Sequence, residues 1–267
     1  VCPAPSPTQL ADRLANLTAE LREPITLDAL TRDYKVFQRR RGHRHSTDDA
    51  LTSWYAVTHA PSPPVSAILD LGTGIGTVGL SLAWYFREAA VTAIEVQDMS
   101  FRLLRENVWA NGVEGRIHTI RGDLREALPG GEFDLVSASP PYFDRKAGVL
   151  SPDPQRAGAR FELRGDIRDY CRAACRVLAP GGRFVFCFPT VQRARAERAC
   201  REAALSLVAM RDVVPREGLA PLFSLFACAR SDEGSASRVE VETPLTVRDA
   251  SGAHTAEMIA ARGVFFG

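Results

Sequence analysis

Long apolar runs are what this sequence most plainly lacks. No stretch approaches the ~20 consecutive apolar residues of a membrane span, and no signal peptide is evident, so no membrane partner is expected. Paired cysteines are missing as well. Cys2, Cys171, Cys175, Cys187, Cys200 and Cys228 include no C-x-x-C pair and no zinc spacing, which favours a reducing, cytoplasmic setting. Cys171 and Cys175, four apart on an expected helix, read as two small buried side chains. Charge of one sign is not in excess: the formal balance is +1 with 24% charged residues, so nothing points to disorder. A nucleic-acid partner would therefore rest on local clusters, not on the sum. His43 and His45 have no cluster of acids or cysteines beside them, so no metal is expected. No internal repeat occurs. The chain starts on Val1, not Met, so its start is expected to be trimmed.

What is present is a full core and a glycine signal. With 267 residues, 45% of them hydrophobic, the chain can form one large domain or one domain with extensions. Ala67 to Leu71 reads as a buried parallel strand, and Gly72, Gly74 and Gly76 as a tight turn into a helix near Thr77. The spacing is not the G-x-G-x-x-G of dinucleotide binders, since Thr77 holds the place of the third glycine. No Gly-Lys-Ser/Thr follows, which excludes a P-loop. A glycine-rich turn without ligand is the bland alternative.

Around that turn the chain alternates helices and strands. Gln9 to Arg22 has helical apolar spacing ended by Pro24, and Ser46 with Asp49 forms a capping box before a helix from about Ala50 to His59. Strands are expected at Val91 to Glu95, Arg116 to Ile120, Phe133 to Ala138 and Phe184 to Phe188. Leu207 to Val214 and Leu222 to Ala229 read as an antiparallel edge pair. Asp144 to Arg160, with Pro152 and Pro154, reads as a flexible loop or lid, and Asp166 to Leu178 as a helix closed by Pro180-Gly181-Gly182. The tail shows a strand-like run at 245–247 and a short helix near Ala256 to Ala260. The pattern predicts an α/β, doubly wound sheet of about seven strands, mostly parallel, with ligand beyond the strands' carboxyl ends. Residues 1–60 are expected as a helical, basic extension, 61–230 as the domain, and 231–267 as a tail packing on it.

Three acids fall at the ends of successive strands: Asp70, Glu95 and Asp123. Glu95, about 25 residues beyond Asp70, stands where an acid accepts hydrogen bonds from both ribose hydroxyls of a nucleotide. Asp123, followed by apolar Leu124, suits an adenine amino group. Each alone is as readily a helix cap. Ser139-Pro140-Pro141-Tyr142 is sharper: two prolines after a buried strand stop pairing and fix the Pro140 carbonyl. The basic stretch Arg39-Arg40-Arg41-Gly42-His43-Arg44 is either a solvated loop or a phosphate contact.

Asp-x-Gly-x-Gly-x-Gly after a strand resembles the first motif of class I S-adenosylmethionine-dependent methyltransferases, whose Rossmann-like fold the resemblance implies. Ser-Pro-Pro-Tyr is similar to the Asp/Asn/Ser-Pro-Pro-aromatic motif of amino-group methyltransferases. That likeness implies that Ser139 and the Pro140 carbonyl accept hydrogen bonds from a target amine, with Pro141 stiffening the turn and Tyr142 stacking on the substrate. Gln38 to Asp48, the glycine loop, Glu95, Asp123, Ser139 to Phe143, Ala159-Arg160-x-Glu162 and Pro244 to Glu257 together resemble the bacterial tRNA adenine-N6 methyltransferases acting beside the anticodon of a valine tRNA. Serine at 139 stands where that family usually has asparagine. The resemblance implies S-adenosylmethionine as cofactor, bound by Asp48, Asp70, Gly72, Gly74, Gly76, Glu95 and Asp123. It implies tRNA as partner, met by Arg39, Arg40, Arg41, Arg44, Phe143 and Arg160, with Lys146 as a further cation. A monomer is the simpler expectation. Two rivals stand beside it: a protein glutamine-N5 methyltransferase, which shares Pro-Pro-Tyr, and a cofactor-binding RNA-recognition module without turnover.

Overall fold

The computed structural model describes residues 3–62, 64–126, 128–144, 151–231 and 239–266; Cys2, Lys146 and most of the expected 231–237 linker lie outside them. Helix α1 (Pro7–Leu21) starts on a Ser6/Gln9 capping box with Pro7 in its first turn, buries Leu10 and Leu17, and stops at Arg22 in a left-handed conformation. A hairpin that the sequence did not announce follows: β1 (Ile25–Ala29) pairs antiparallel with β2 (Lys35–Arg39). Helix α2 (Thr47–Thr58) then leads into the main sheet.

The sheet elements run β3 (Ala67–Leu71), α3 (Thr77–Tyr85), β4 (Ala90–Glu95), α4 (Asp98–Ala110), β5 (Ile117–Arg121) and β6 (Phe133–Ala138). They continue as α5 (Pro154–Arg160), α6 (Ile167–Val177), β7 (Leu178–Pro189), α7 (Arg193–Glu202), β8 (Leu205–Val214) and β9 (Phe223–Arg230). The tail adds β10 (Glu240–Val241), β11 (Leu245–Thr246) and α8 (Ala256–Phe266). The order is β10-β8-β9-β7-β6-β3-β4-β5 in a nine-stranded sheet, with β11 also on β8. The strand order reverses between β3 and β6, which places the crevice at their carboxyl ends.

The expected antiparallel pair is present, since β8 pairs antiparallel with β9, and among the described strands of this sheet only β9 is reversed, lying antiparallel to β7 as well. The α7 crossover makes β8 parallel to β7, and the turn at 215–222 sends β9 back into the gap between them. Two other expectations change. Residues 154–160 are helix, not loop: Asp153 caps α5, and Pro154 sits in the first turn, where its missing N–H is no loss. Pro180-Gly181-Gly182 lies within β7 as an irregularity, with Phe133 opposite Leu178 but Leu135 opposite Arg183.

Side chains alternate across the sheet. Ile68 joins a core with α2, α3 and α4, while Leu69 and Leu71 join one with α6 and α7. Leu10, Leu17, Val36 and Phe37 belong to the first core, so the N-terminal segment packs on that face. Asn107 on α4 and Asn111 at its C-cap bind the hairpin as a neighbouring strand would. Asn107 accepts from Phe37 N at 2.6 Å and donates to Phe37 O and to Ile75 O in the glycine loop. Asn111, one turn later, accepts from Lys35 N and donates to Lys35 O.

Candidate active site

The glycine loop leaves β3 with Gly72, Gly74 and Gly76 at φ of +62°, +61° and +94°, where a side chain is strained. At Gly72 a Cβ would also collide with Tyr170 Oη. Asp70 builds the loop. Its Oδ2 accepts from Thr73 Oγ1 at 2.5 Å and Gly79 N at 2.9 Å, and its Oδ1 from Ser137 Oγ at 2.7 Å. Burial pushes its carboxyl up to about 6 against those bonds. Asp70 therefore lines the cavity but commits both oxygens to the protein.

Glu95, 4% exposed at the end of β4, accepts from Gly74 N at 2.8 Å and Gln97 N at 2.6 Å, and burial pushes it up to about 7. Each oxygen keeps a lone pair for another donor. Asp123, after β5, pairs with Arg125, whose hydrogen bond lowers the carboxyl. Gly72, Gly74, Glu95, Asp123, Ser139 and Pro141 all line one cavity at the strand ends.

The Ser-Pro-Pro-Tyr segment leaves β6 under firm restraint. Tyr142 N and Phe143 N both donate to Arg160 O, Glu162 N donates to Phe143 O, and Gln192 Nε2 donates to Tyr142 O. Pro140 is a buried residue, and among the described residues nothing donates to its carbonyl. Ser139 Oγ lies 3.4 Å from Cys187 Sγ on the neighbouring β7. Burial pushes the Cys187 thiol up to about 12, so it stays protonated at neutral pH.

Comparison with known proteins fits this geometry. The methyltransferase small domain family model matches residues 51–152. A tRNA1(Val) (adenine(37)-N6)-methyltransferase of Shewanella loihica is 29% identical over 229 residues, covering 83% of this chain and 91% of that protein. One of Aeromonas hydrophila is 32% identical over 171 residues, covering 63% and 68%. The chain belongs to the tRNA1(Val) (adenine(37)-N6)-methyltransferase family. A crystal structure of a predicted O-methyltransferase from Agrobacterium tumefaciens superposes with a TM-score of 0.64 at 20% identity, over 83% of this chain and 98% of that one; it speaks for the fold alone.

As a member of this methyltransferase family, the chain distributes its other expected site residues unevenly. Arg39 is not a free cation: it pairs with Glu23 at 2.5 Å and Asp153 at 2.5 Å and is 12% exposed, so it ties the hairpin to α5. Arg44 lines the cavity but pairs with Asp28 at 3.2 Å. Arg40 and Arg41 are exposed and form no ion pair among the described residues. Arg160 is exposed, its guanidinium 5.4 Å above the Phe143 ring. Asp48 is not among the lining residues of the cavity; its capping neighbour Asp49 is. Asp48 stands instead on the side of Tyr142 and Cys187, close enough for its charge to raise both. Burial and then Asp49 hold Asp48 above the usual carboxylate range, while His45 and His43 outweigh burial and hold Asp49 below it.

Sequence reading missed Tyr170, Arg164 and Cys187. Tyr170 reaches the loop from α6, Arg164 reaches the cavity and donates to Val96 O at 3.3 Å, and Cys187 backs Ser139 from β7. None has a motif; each is brought in by the fold. No group of three or more potential metal ligands occurs among the described residues, and no helix there is long and apolar enough to cross a membrane.

Proposed function

We propose that this chain transfers a methyl group from S-adenosylmethionine to the exocyclic N6 amine of an adenine in tRNA, beside the anticodon, acting as a cytoplasmic monomer. The observation that carries the reading is that the glycine loop, Glu95 and the Ser139 to Pro141 turn share one cavity. Family membership supports the substrate, and the cysteines among the described residues, all free, suit a reducing compartment.

The residues present fit the cofactor. Gly72 leaves a cradle that a Cβ would close, and Glu95 offers lone pairs to two ribose hydroxyls. Asp123 beside Leu124 suits an adenine edge, and the acids lining the cavity favour a cation. When bound, S-adenosylmethionine supplies an electrophilic methyl on positively charged sulfur.

The chain's own task is positioning. An adenine amine has its lone pair delocalised into the ring, so two acceptors on its protons, Ser139 Oγ and the Pro140 carbonyl, hold it aimed at the methyl. Cys187 Sγ gives the Ser139 proton a place to point, which leaves the oxygen's lone pairs to the amine. Tyr142 and Phe143, with ring centroids 4.7 Å apart, offer faces to the base. On taking the methyl, with the carbon–sulfur bond breaking to leave a neutral thioether, the nitrogen would become acidic, so its proton would pass to water without a strong base. A base inside a stack must flip out or lie in a loop to reach this site. Arg40, Arg41 and Arg160 would hold phosphates.

The test is transfer of radiolabelled methyl to bulk tRNA, total protein and free nucleotides, followed by nucleoside digestion. Label recovered as N6-methyladenosine in tRNA is the expected result. Label in protein alone would make it a glutamine methyltransferase, and cofactor binding without transfer would make it a recognition module.

A further inference from the structure

The run from Pro244 to Glu257 has no task in the chemistry above. It carries β11 onto β8 and leads into α8, which packs through Met258, Ala261 and Phe265. Beside that packing lies a second groove, between α8 and the start of α2, lined by Ser46, Thr47, Arg248, His254, Arg262 and Phe266. Arg248 and His254 face each other across an isolated antiparallel bridge, and Arg262 Nη1 is 3.4 Å from His254 Nδ1.

Arg248, which donates to Gly252 O, and Arg262 form no ion pair among the described residues. Glu257 pairs with Arg211, Asp249 accepts from Ser251 Oγ and Ala253 N, and Glu217 accepts from Ala250 N. The His254 imidazole is held below its ordinary range by burial and then by Arg248 and Arg262, with no carboxylate opposing them. Gathering like charges is unfavourable unless an anion shares the site. The cleft between α4 and β5 is the contrast: Arg102 there is neutralised by Glu20 and Arg121 by Asp98.

The groove adjoins the active-site cavity, since His45 lines both. Phe266 is 38% exposed at its rim, with the Arg262 guanidinium 5.7 Å from its ring. Cations beside an open aromatic face are what a single-stranded nucleic acid uses.

We infer that this groove binds backbone phosphates of the RNA substrate flanking the methylated nucleotide, with Arg248 and Arg262 as the contacts and Phe266 as a face for an unpaired base. The inference rests on the RNA reading proposed above. The test is filter binding of an unmodified tRNA transcript by the full chain from about 50 to about 200 mM salt, with calorimetric titration of S-adenosylmethionine alongside. In R248A/R262A the slope of log affinity against log salt should shrink by about 2, one per lost contact, with cofactor affinity and melting temperature unchanged. R248K/R262K should restore the slope, and R102A should not alter it. If the wild type binds tRNA and R248A/R262A keeps its affinity and slope, the groove assignment is wrong while the RNA reading stands. If the wild type binds no tRNA at any salt, the RNA reading fails and the groove goes with it. If the double variant loses only inorganic pyrophosphate binding, the site takes a free anion and the RNA assignment is overturned.

Discussion

Glu95 offers the sharpest test of the cofactor site, through the variant Glu95→Gln. In the wild type both oxygens accept backbone N–H groups, from Gly74 at 2.8 Å and Gln97 at 2.6 Å. Glutamine turns one oxygen into a donor, which then faces an N–H and leaves a ribose hydroxyl without an acceptor. A hydrogen bond to a charged acceptor contributes roughly 1.5–3 kcal/mol, so affinity for S-adenosylmethionine should fall about 10- to 150-fold. The pH dependence is more diagnostic. Burial raises Glu95 to about 7 from its ordinary 4.5. Two donating hydroxyls favour the carboxylate, so binding expels a proton below pH 7, and affinity falls as pH falls through that value. At pH 6 about one molecule in ten carries the carboxylate, a loss of affinity of about tenfold against pH 8. Folding has the opposite sign. The folded state holds the proton more tightly than the unfolded one, so this group's contribution to stability declines as pH rises from about 4.5 to about 7. Calorimetric titrations at pH 6, 7 and 8 compare wild type with Glu95→Gln, which cancels the ligand's own ionisation. Equal affinities with the same pH slope in both proteins would refute the assignment.

Other variants separate the remaining roles. Tyr142→Ala should lower methyl transfer by ~1–3 kcal/mol of lost stacking while cofactor affinity holds, and Tyr142→Phe should keep most activity; single-turnover kinetics beside cofactor titration decides. Ser139→Ala should lower kcat more than it weakens tRNA binding, Ser139→Asn should be tolerated, and Cys187→Ala should reproduce part of the Ser139→Ala loss. Arg39→Ala should lower the melting temperature, by roughly 1–3 kcal/mol of broken ion pairs, and leave the salt slope of tRNA binding unchanged. Arg40→Ala with Arg41→Ala should do the reverse. Gly72→Ala should abolish cofactor binding, since the strained φ alone costs ~1–2 kcal/mol and its Cβ meets Tyr170 besides.

The sheet was legible because buried parallel strands are short apolar runs, and Ile68 to Leu71 or Val91 to Glu95 can be read as nothing else between their turns. The three strand-end acids and the Ser-Pro-Pro-Tyr turn were legible for a related reason: each is fixed by its place after a strand. What escaped depends on partners far away in the chain. β1 is strand only because β2 pairs with it, and α5 is helix although Pro154 reads as a breaker until its place in the first turn is known. Arg39 looks like its neighbours Arg40 and Arg41; only the fold sets Glu23 and Asp153 against it. The difference between Asp48 and Asp49 is likewise a matter of helical angle, which two adjacent aspartates cannot reveal.

Asn107 on α4 bears on how this protein can come apart. Asn107 is fully buried, and its amide is satisfied by Phe37 and Ile75 together. A chain begun at residue 61 would keep every strand of the main sheet yet uncover the apolar face that Leu10, Leu17, Val36 and Phe37 pack on, and would exchange the two Asn107–Phe37 bonds for water at ~0.5–1.5 kcal/mol each. Unfolding of the hairpin would thus reach the backbone of the glycine loop through a single side chain. Hairpin and loop are one cooperative unit, and native-state hydrogen exchange should find Phe37 and Gly76 opening together.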